Sequence, residues 1–258
     1  MRIQYVAIDK NTLVEDKEVG CDLYLKSSIN RNPRYVLFCH GDEQFRHERN
    51  GSMIERNTEK LYILSEDYEK FFKYQEQNLS SIVSCDNLNF QEKSNAVYNV
   101  AKSLTKDIFR DIGLSNADLG RARNWVKYTI RFILNDENAF SGLINKTSHD
   151  YHTYTHSVNL SVLGLLFGKH LCLDPADLNS FGTGMLLHDV GKVETPLEIL
   201  NKPGKLTNEE FNIIKCHPQA GYKLLKNKDS MDEKTLIPVI RHHENFDGTG
   251  YPYGIGGN

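Results

Sequence analysis

Leu187-His188-Asp189-Val190-Gly191-Lys192 decides how this chain of 258 residues is read. The run sets an imidazole, a carboxylate and an ammonium close together. Other histidines surround it at long intervals. His156 lies upstream in Tyr154-Thr155-His156-Ser157, and His217 follows in Cys216-His217-Pro218. His242-His243-Glu244 then precedes Asp247-Gly248-Thr249-Gly250-Tyr251-Pro252. An isolated His-Asp pair is usually a hydrogen-bonded core pair. An ordered set of imidazoles around one carboxylate consists of metal ligands by type, and it suits a hydrolytic metal pair. On an α-helix, adjacent His188 and Asp189 point about 100° apart. His188, with His156, can then serve one ion while Asp189 lies between two, and His217 and His242 can complete the second.

Working outward, the hydrophobic period is helical from about Asn89. Val97, Val100, Ala101, Leu104 and Ile108 mark one face, and Leu119, Ala122, Val126, Ile130 and Ile133 another. Ser157 to Leu171 is apolar nearly all round and is expected to be a buried central helix. Thr207-Asn208-Glu209-Glu210 is a capping box before Phe211, Ile213 and Ile214. Thr235 to Glu244 is expected to be a further helix with Pro238 near its first turn.

The first 65 or so residues read differently. Tyr5-Val6-Ala7-Ile8, Asp22-Leu23-Tyr24-Leu25, Tyr35-Val36-Leu37-Phe38 and Leu61-Tyr62-Ile63-Leu64 are β-prone runs between polar turns such as Asn30-Arg31-Asn32-Pro33 and Asn50-Gly51-Ser52. A helix over Glu66 to Gln77 is expected after them. Cys39-His40-Gly41-Asp42 with His47 fits no zinc spacing and reads as turn residues. Arg46, Arg49 and Arg56 read as a solvated charged face.

Composition narrows the function classes. Apolar residues make up 39% and charged residues 25%, as in globular proteins, and the net charge of −3 gives no global field for long nucleic acid. The start, Met1-Arg2-Ile3-Gln4-Tyr5, has no leader pattern, and no apolar run is long enough to insert in a membrane. Five cysteines without paired spacing point to reduced thiols and a cytoplasmic setting.

Further motifs accompany the histidines. They are Asp150-Tyr151-His152-Thr153-Tyr154-Thr155-His156-Ser157, Pro196-Leu197-Glu198-Ile199-Leu200-Asn201-Lys202-Pro203-Gly204-Lys205-Leu206-Thr207 and Ala220-Gly221-Tyr222-Lys223-Leu224-Leu225. With the His-Asp pair and the Gly-Tyr-Pro loop, the region from about Asp150 to Gly256 resembles the HD-GYP family of metal-dependent cyclic di-GMP phosphodiesterases. The resemblance implies hydrolysis of cyclic di-GMP, or a related cyclic dinucleotide, to linear dinucleotide and/or GMP. It implies two or three divalent ions, iron or manganese, held by His156, His188, Asp189, His217 and His242. His243 is then a third-metal ligand or a substrate contact. Lys192 is expected to face the scissile phosphate and act with Asp189 in catalysis, and Tyr251 to touch substrate. The Gly-Tyr-Pro loop is linked in the family to contacts with diguanylate cyclases.

Two departures stand out. Some members carry a glutamate four residues before the first histidine, where this chain has His152; either His152 substitutes as a ligand or the site holds two ions. Family domains also continue through helices that supply another carboxylate, so the domain is expected to be incomplete at Asn258 or to use water. The expectation is therefore an α+β chain: a small sheet-rich regulatory or docking domain with a terminal helix over residues 1–83, then an all-α HD-GYP bundle over 84–258. The alternatives to cyclic di-GMP hydrolysis are a weak or inactive cyclic di-GMP sensor or cyclase scaffold, and hydrolysis of another phosphoester.

Overall fold

A computed structural model describes residues 4–29, 32–46, 60–110, 114–146, 153–229 and 231–257. The chain divides into two units, Met1–Val100 and Ala101–Asn258. In the first, β1 (Tyr5–Asp9), β2 (Leu23–Ile29), β3 (Asn32–Cys39) and β4 (Lys60–Leu64) form one antiparallel sheet in the order β1-β4-β2-β3. All four β-prone runs contribute to these strands. Of the Asn30-Arg31-Asn32-Pro33 signal, Asn32 and Pro33 belong to β3, where they pair with Ile29 and Ser28. Asn30, Arg31 and the turn signal Asn50-Gly51-Ser52 lie outside the described residues, as do His47, Arg49 and Arg56.

Alternation assigns the sheet its two faces. Leu23, Leu61 and Ile63 turn inward and are fully buried. Tyr24 and Tyr62 pair across the strands on the other face, where Tyr5 stacks on Tyr35 with ring centroids 3.9 Å apart. The inner face is covered by α1 (Tyr68–Gln77), whose Phe71 and Tyr74 join Ile8, Leu23, Leu61 and Ile63 in one cluster. This helix follows a 3-10 turn over Ser65–Asp67, and α2 (Leu79–Ser84) comes next. The boundary between the units falls inside α3 (Phe90–Ile108). The helical face expected there, Val97 to Ile108, is buried throughout.

In the second unit, α4 (Asn116–Asn135) starts on a capping box between Ser115 and Asp118 and buries Leu119, Ala122, Val126, Ile130 and Ile133. After α5 (Ala139–Ile144) come α6 (Thr153–His170) and α7 (Pro175–Leu187). The expectation that Ser157–Leu171 forms the buried centre needs correction. Leu163, Phe167 and Leu171 are exposed, and α6 shows one apolar face to solvent. The central helix is α7, which touches α4, α6 and the last helix, α11 (Glu233–Arg241). Between them lie the short α8 (Leu197–Leu200), α9 (Asn208–Ile214), on its expected capping box at Thr207 and Glu210, and α10 (His217–Leu225).

Glycine makes α7 central. A Cβ on Gly184 would run into the carbonyl oxygen of Thr235 and lie 3.0 Å from Pro238 Cγ. Helix α11 also starts earlier than expected, because Asp232 caps it by accepting from Thr235 N–H at 2.7 Å. Pro238 therefore sits inside the helix rather than in its first turn. Among the described residues no helix is long and apolar enough to cross a membrane.

Paired substitutions test this account. Gly184→Ala is expected to destabilise the protein by about 1–3 kcal/mol through overpacking. Gly120→Ala, on α4 with nothing within 4 Å of the new methyl, should stabilise it by about 0.5–1 kcal/mol. Denaturant titration of the two variants reads both signs.

Candidate metal centre

His188 caps the end of α7 with helical dihedrals. Asp189 leaves them (φ −93°, ψ 4°) and opens a 3-10 turn over Val190–Glu194. The divergence expected for neighbours on one α-helix is lost at this break. The two side chains converge instead, with His188 Nε2 3.3 Å from Asp189 Oδ2. Lys192, three residues along the turn, donates from Nζ to the same oxygen at 2.6 Å.

The imidazoles are oriented by backbone carbonyls. His188 Nδ1 lies 2.8 Å from Met185 O, and His217 Nδ1 lies 2.7 Å from Ile214 O. His242 Nδ1 is 3.1 Å from both Pro238 O and Val239 O. Only a protonated nitrogen can donate to a carbonyl, so each neutral ring carries its proton on Nδ1 and leaves Nε2 bare. The bare nitrogens then crowd Asp189. His217 Nε2 and His242 Nε2 are 2.9 Å apart, and they lie 3.3 and 3.7 Å from Asp189 Oδ1. Oδ1 is buried and has no hydrogen-bond partner. Lone pairs facing one another without a proton between them call for a cation. The residues thus fit a metal, with the imidazole tautomers fixed by backbone acceptors.

Two groups of donors can be drawn. His156, His188 and Asp189 each offer an atom within 4.8 Å of the others, and so do Asp189, His217, His242 and His243. Asp189 belongs to both. The donors come from α6 (His156), the end of α7, the start of α10 (His217) and the end of α11 (His242). All lie in the second unit. His156 is exposed while His188, Asp189 and His217 are buried. His152 lies outside the described residues.

Charge is arranged for ligation at neutral pH. Burial alone would raise the Asp189 pKa, but the Lys192 ammonium that donates to Oδ2 holds it well below the usual carboxylate range, and the His188 and His217 rings add to this only in a proton-bearing form. Burial, reinforced by the His188 and His243 rings, pushes His242 down to about 3. Burial and the His217 ring push His243 down to about 4. His156 is lowered by burial and by His188.

The Gly-Tyr-Pro loop closes over this group. The Tyr251 ring stacks on His243, with centroids 4.5 Å apart and planes at 19°, and Tyr251 N–H donates to His243 O at 3.0 Å. Burial and the Asp189 charge push the phenol up to about 12, so it keeps its proton. Of the loop's two glycines before Tyr251, Gly248 adopts positive φ (76°). Gly250 is required for another reason: a Cβ there would strike Asn245 N, Glu244 Cα and His243 O.

Two residues were missed by the sequence reading. The Glu244 carboxylate accepts from Tyr253 N–H at 2.7 Å and Ile255 N–H at 3.0 Å, pinning the loop. Its place beside the histidine pair was the only available signal. Lys215 holds its Nζ 4.7 Å from the Phe211 ring centroid and 5.9 Å from that of Tyr251. No motif position marked it.

Comparison with known proteins points one way. Residues 138–258 match the HD domain family. A cyclic di-GMP phosphodiesterase of Pseudomonas aeruginosa is 36% identical over 156 residues, covering 60% of this chain and 38% of the relative. The cyclic di-GMP phosphodiesterase response regulator RpfG of Xanthomonas campestris is 31% identical over 175 residues, covering 67% of this chain and 42% of the relative. The chain thus spans about two fifths of the length of these relatives. A solved HDG"Y"P protein of Bdellovibrio bacteriovorus has the same fold, with a TM-score of 0.62, 23% identity, and coverage of 98% of this chain and 81% of that one.

The shared carboxylate and the depressed histidines each give an expected outcome. Asp189→Ala should weaken metal binding in both donor groups by more than about 10-fold, read by elemental analysis after loading and desalting. In metal-free protein, His242 and His243 stay neutral where the unfolded chain takes up protons. Stability should therefore fall as pH drops below about 6.5, and continue falling towards about 4, the nearer of the two folded values. Thermal melts across that window check the sign.

Proposed function

Because the chain belongs to the HD-GYP family, we propose that it hydrolyses the phosphodiester bond of cyclic di-GMP, giving linear dinucleotide and/or GMP. The observation that carries this reading is the ring of bare imidazole nitrogens around the partnerless Oδ1 of Asp189. His156, His188 and Asp189 would hold one divalent ion. Asp189, His217 and His242 would hold a second, with His243 closing that group. Mixed nitrogen and oxygen donors suit iron or manganese. When bound, such ions act as Lewis acids towards phosphate and acidify water.

The chain's own groups do the rest. Lys192 places a positive charge beside Asp189, where charge develops on phosphate during attack. Tyr251 offers an un-ionised hydroxyl and a ring face to the nucleotide. His243 is held beneath that ring and fixes its position. Lys215, between two aromatic faces, adds a second cation near an anionic substrate. We assign this chemistry to residues 84–258 and a regulatory or docking role to residues 1–83. The exposed Phe246 and Tyr253 on the Gly-Tyr-Pro loop would be the contact surface for a diguanylate cyclase.

Turnover of metal-loaded protein with cyclic di-GMP, analysed for linear dinucleotide and GMP, tests the reading. Binding without product would replace the enzyme with a sensor. Cleavage of a different phosphoester alone would change the substrate. Lys192→Ala should retain its metals, lower kcat by about 10²–10³, and change KM far less, as expected for a contact made in the transition state.

A further inference from the structure

The first unit contains a cavity of about 300 Å³ between the end of β1, the 3-10 turn over Lys10–Thr12, α1 and the first turns of α3. Its volume is at the lower end for small-molecule sites. The lining is chemically one-sided. It presents the carboxylates of Asp9 and Glu92, the side-chain amides of Gln75, Asn95 and Asn99, and an aromatic wall that includes Tyr68 and Phe72. No Lys, Arg or His is among the described residues that line it.

Gln75 points to what is missing. It is 4% exposed, and its Oε1 has no hydrogen-bond partner. The amide orientation follows from its neighbour. The Thr12 hydroxyl donates to Asp9 O at 2.8 Å, so its oxygen can only accept, and it does so from Gln75 Nε2 at 3.4 Å. The carbonyl oxygen is therefore the orphan: a buried acceptor without a donor, an arrangement that folded proteins rarely tolerate.

The two carboxylates need the same complement. Glu92 is held in place by Asn11 Nδ2 on Oε1 at 2.8 Å and Asn89 N–H on Oε2 at 2.8 Å. Each of those oxygens retains a further lone pair. Burial foremost, and then the adjacent Glu92 carboxylate, raise the Asp9 pKa, outweighing the Asn11 N–H that donates to its Oδ1 and the charge of Lys60 on the neighbouring strand. A metal ion would want a shell of oxygen ligands in place of the aromatic wall. An organic cation matches both, taking hydrogen bonds from its N–H groups to the acceptors and lying against the rings.

We propose that this cavity is a binding site for a small organic ammonium ion, whose N–H groups engage Glu92, Asp9 and the orphan Gln75 carbonyl while its carbon chain lies against Tyr68 and Phe72. The site is remote in sequence from the metal ligands and independent of the phosphodiesterase reading. It gives the sheet-rich unit a ligand class of its own.

The test uses the full chain at pH 7.5, with n-alkylamines from propylamine to hexylamine as probes and the matching n-alkanols as neutral controls. Calorimetry and thermal shift should both show binding of the amines, with alkanols of equal length at least about 10-fold weaker, the effect of losing charge-assisted hydrogen bonds. Gln75→Leu removes the orphan acceptor without opening a void. It should fold at least as stably as the parent and lose at least about 10-fold in amine affinity, and Glu92→Gln should do the same for affinity. The Gln75 variant also separates this cavity from adventitious amine binding at the histidine cluster. Absence of amine binding, equal binding of alkanols, or amine affinity unchanged in both variants would each overturn the proposal.

Discussion

A buried carboxylate divided between two kinds of partner underlies the helical unit. Asp189 is 1% exposed, and a carboxylate at that depth must be compensated. The protein does this on one oxygen, where Lys192 donates and His188 adjoins. The other oxygen it leaves to imidazoles that have no proton to give. Each of those rings uses Nδ1 to satisfy a carbonyl three or four residues back at the end of its helix or of the helix before it. Helix C-termini carry unpaired carbonyls in any case. The same ring therefore caps a helix and presents a ligand atom, which couples ligand geometry to the framework without extra supporting residues.

That arrangement has a local cost in the metal-free chain. Two Nε2 atoms 2.9 Å apart and a buried oxygen without a donor are unfavourable by themselves. The surrounding helices must hold them there, and the close approach of α7 to α11 at Gly184 is part of how they do so. Functional sites are where local rules are broken and the rest of the fold compensates.

Much of this was legible in the sequence, for identifiable reasons. The four strands follow from alternation, and the buried faces of α3 and α4 follow from a three-to-four-residue period. The donor residues could be named because histidine and aspartate are distinctive by chemistry. What was not legible depends on backbones meeting. Helix α7 is central through Gly182 and Gly184, residues that leave no apolar stripe, whereas the long apolar run of α6 marks that helix as the core on sequence alone. The His188–Asp189 angle was misjudged because the chain leaves α-helical geometry at Asp189. Pro238 was misplaced because Asp232, rather than Thr235, caps α11. Glu244 pins backbone nine and eleven residues away, and Gln75 meets Thr12 across 63 residues; neither relation leaves a periodic trace.

The Glu244 clamp ties surface to interior in a very short span. Its carboxylate grips the far limb of the loop, its backbone adjoins His243, and Phe246 stands 82% exposed two residues further on. Anything that packs on Phe246 and Tyr253 therefore meets a segment that Glu244 cross-ties and whose backbone runs directly into His243, an imidazole beside the buried charge.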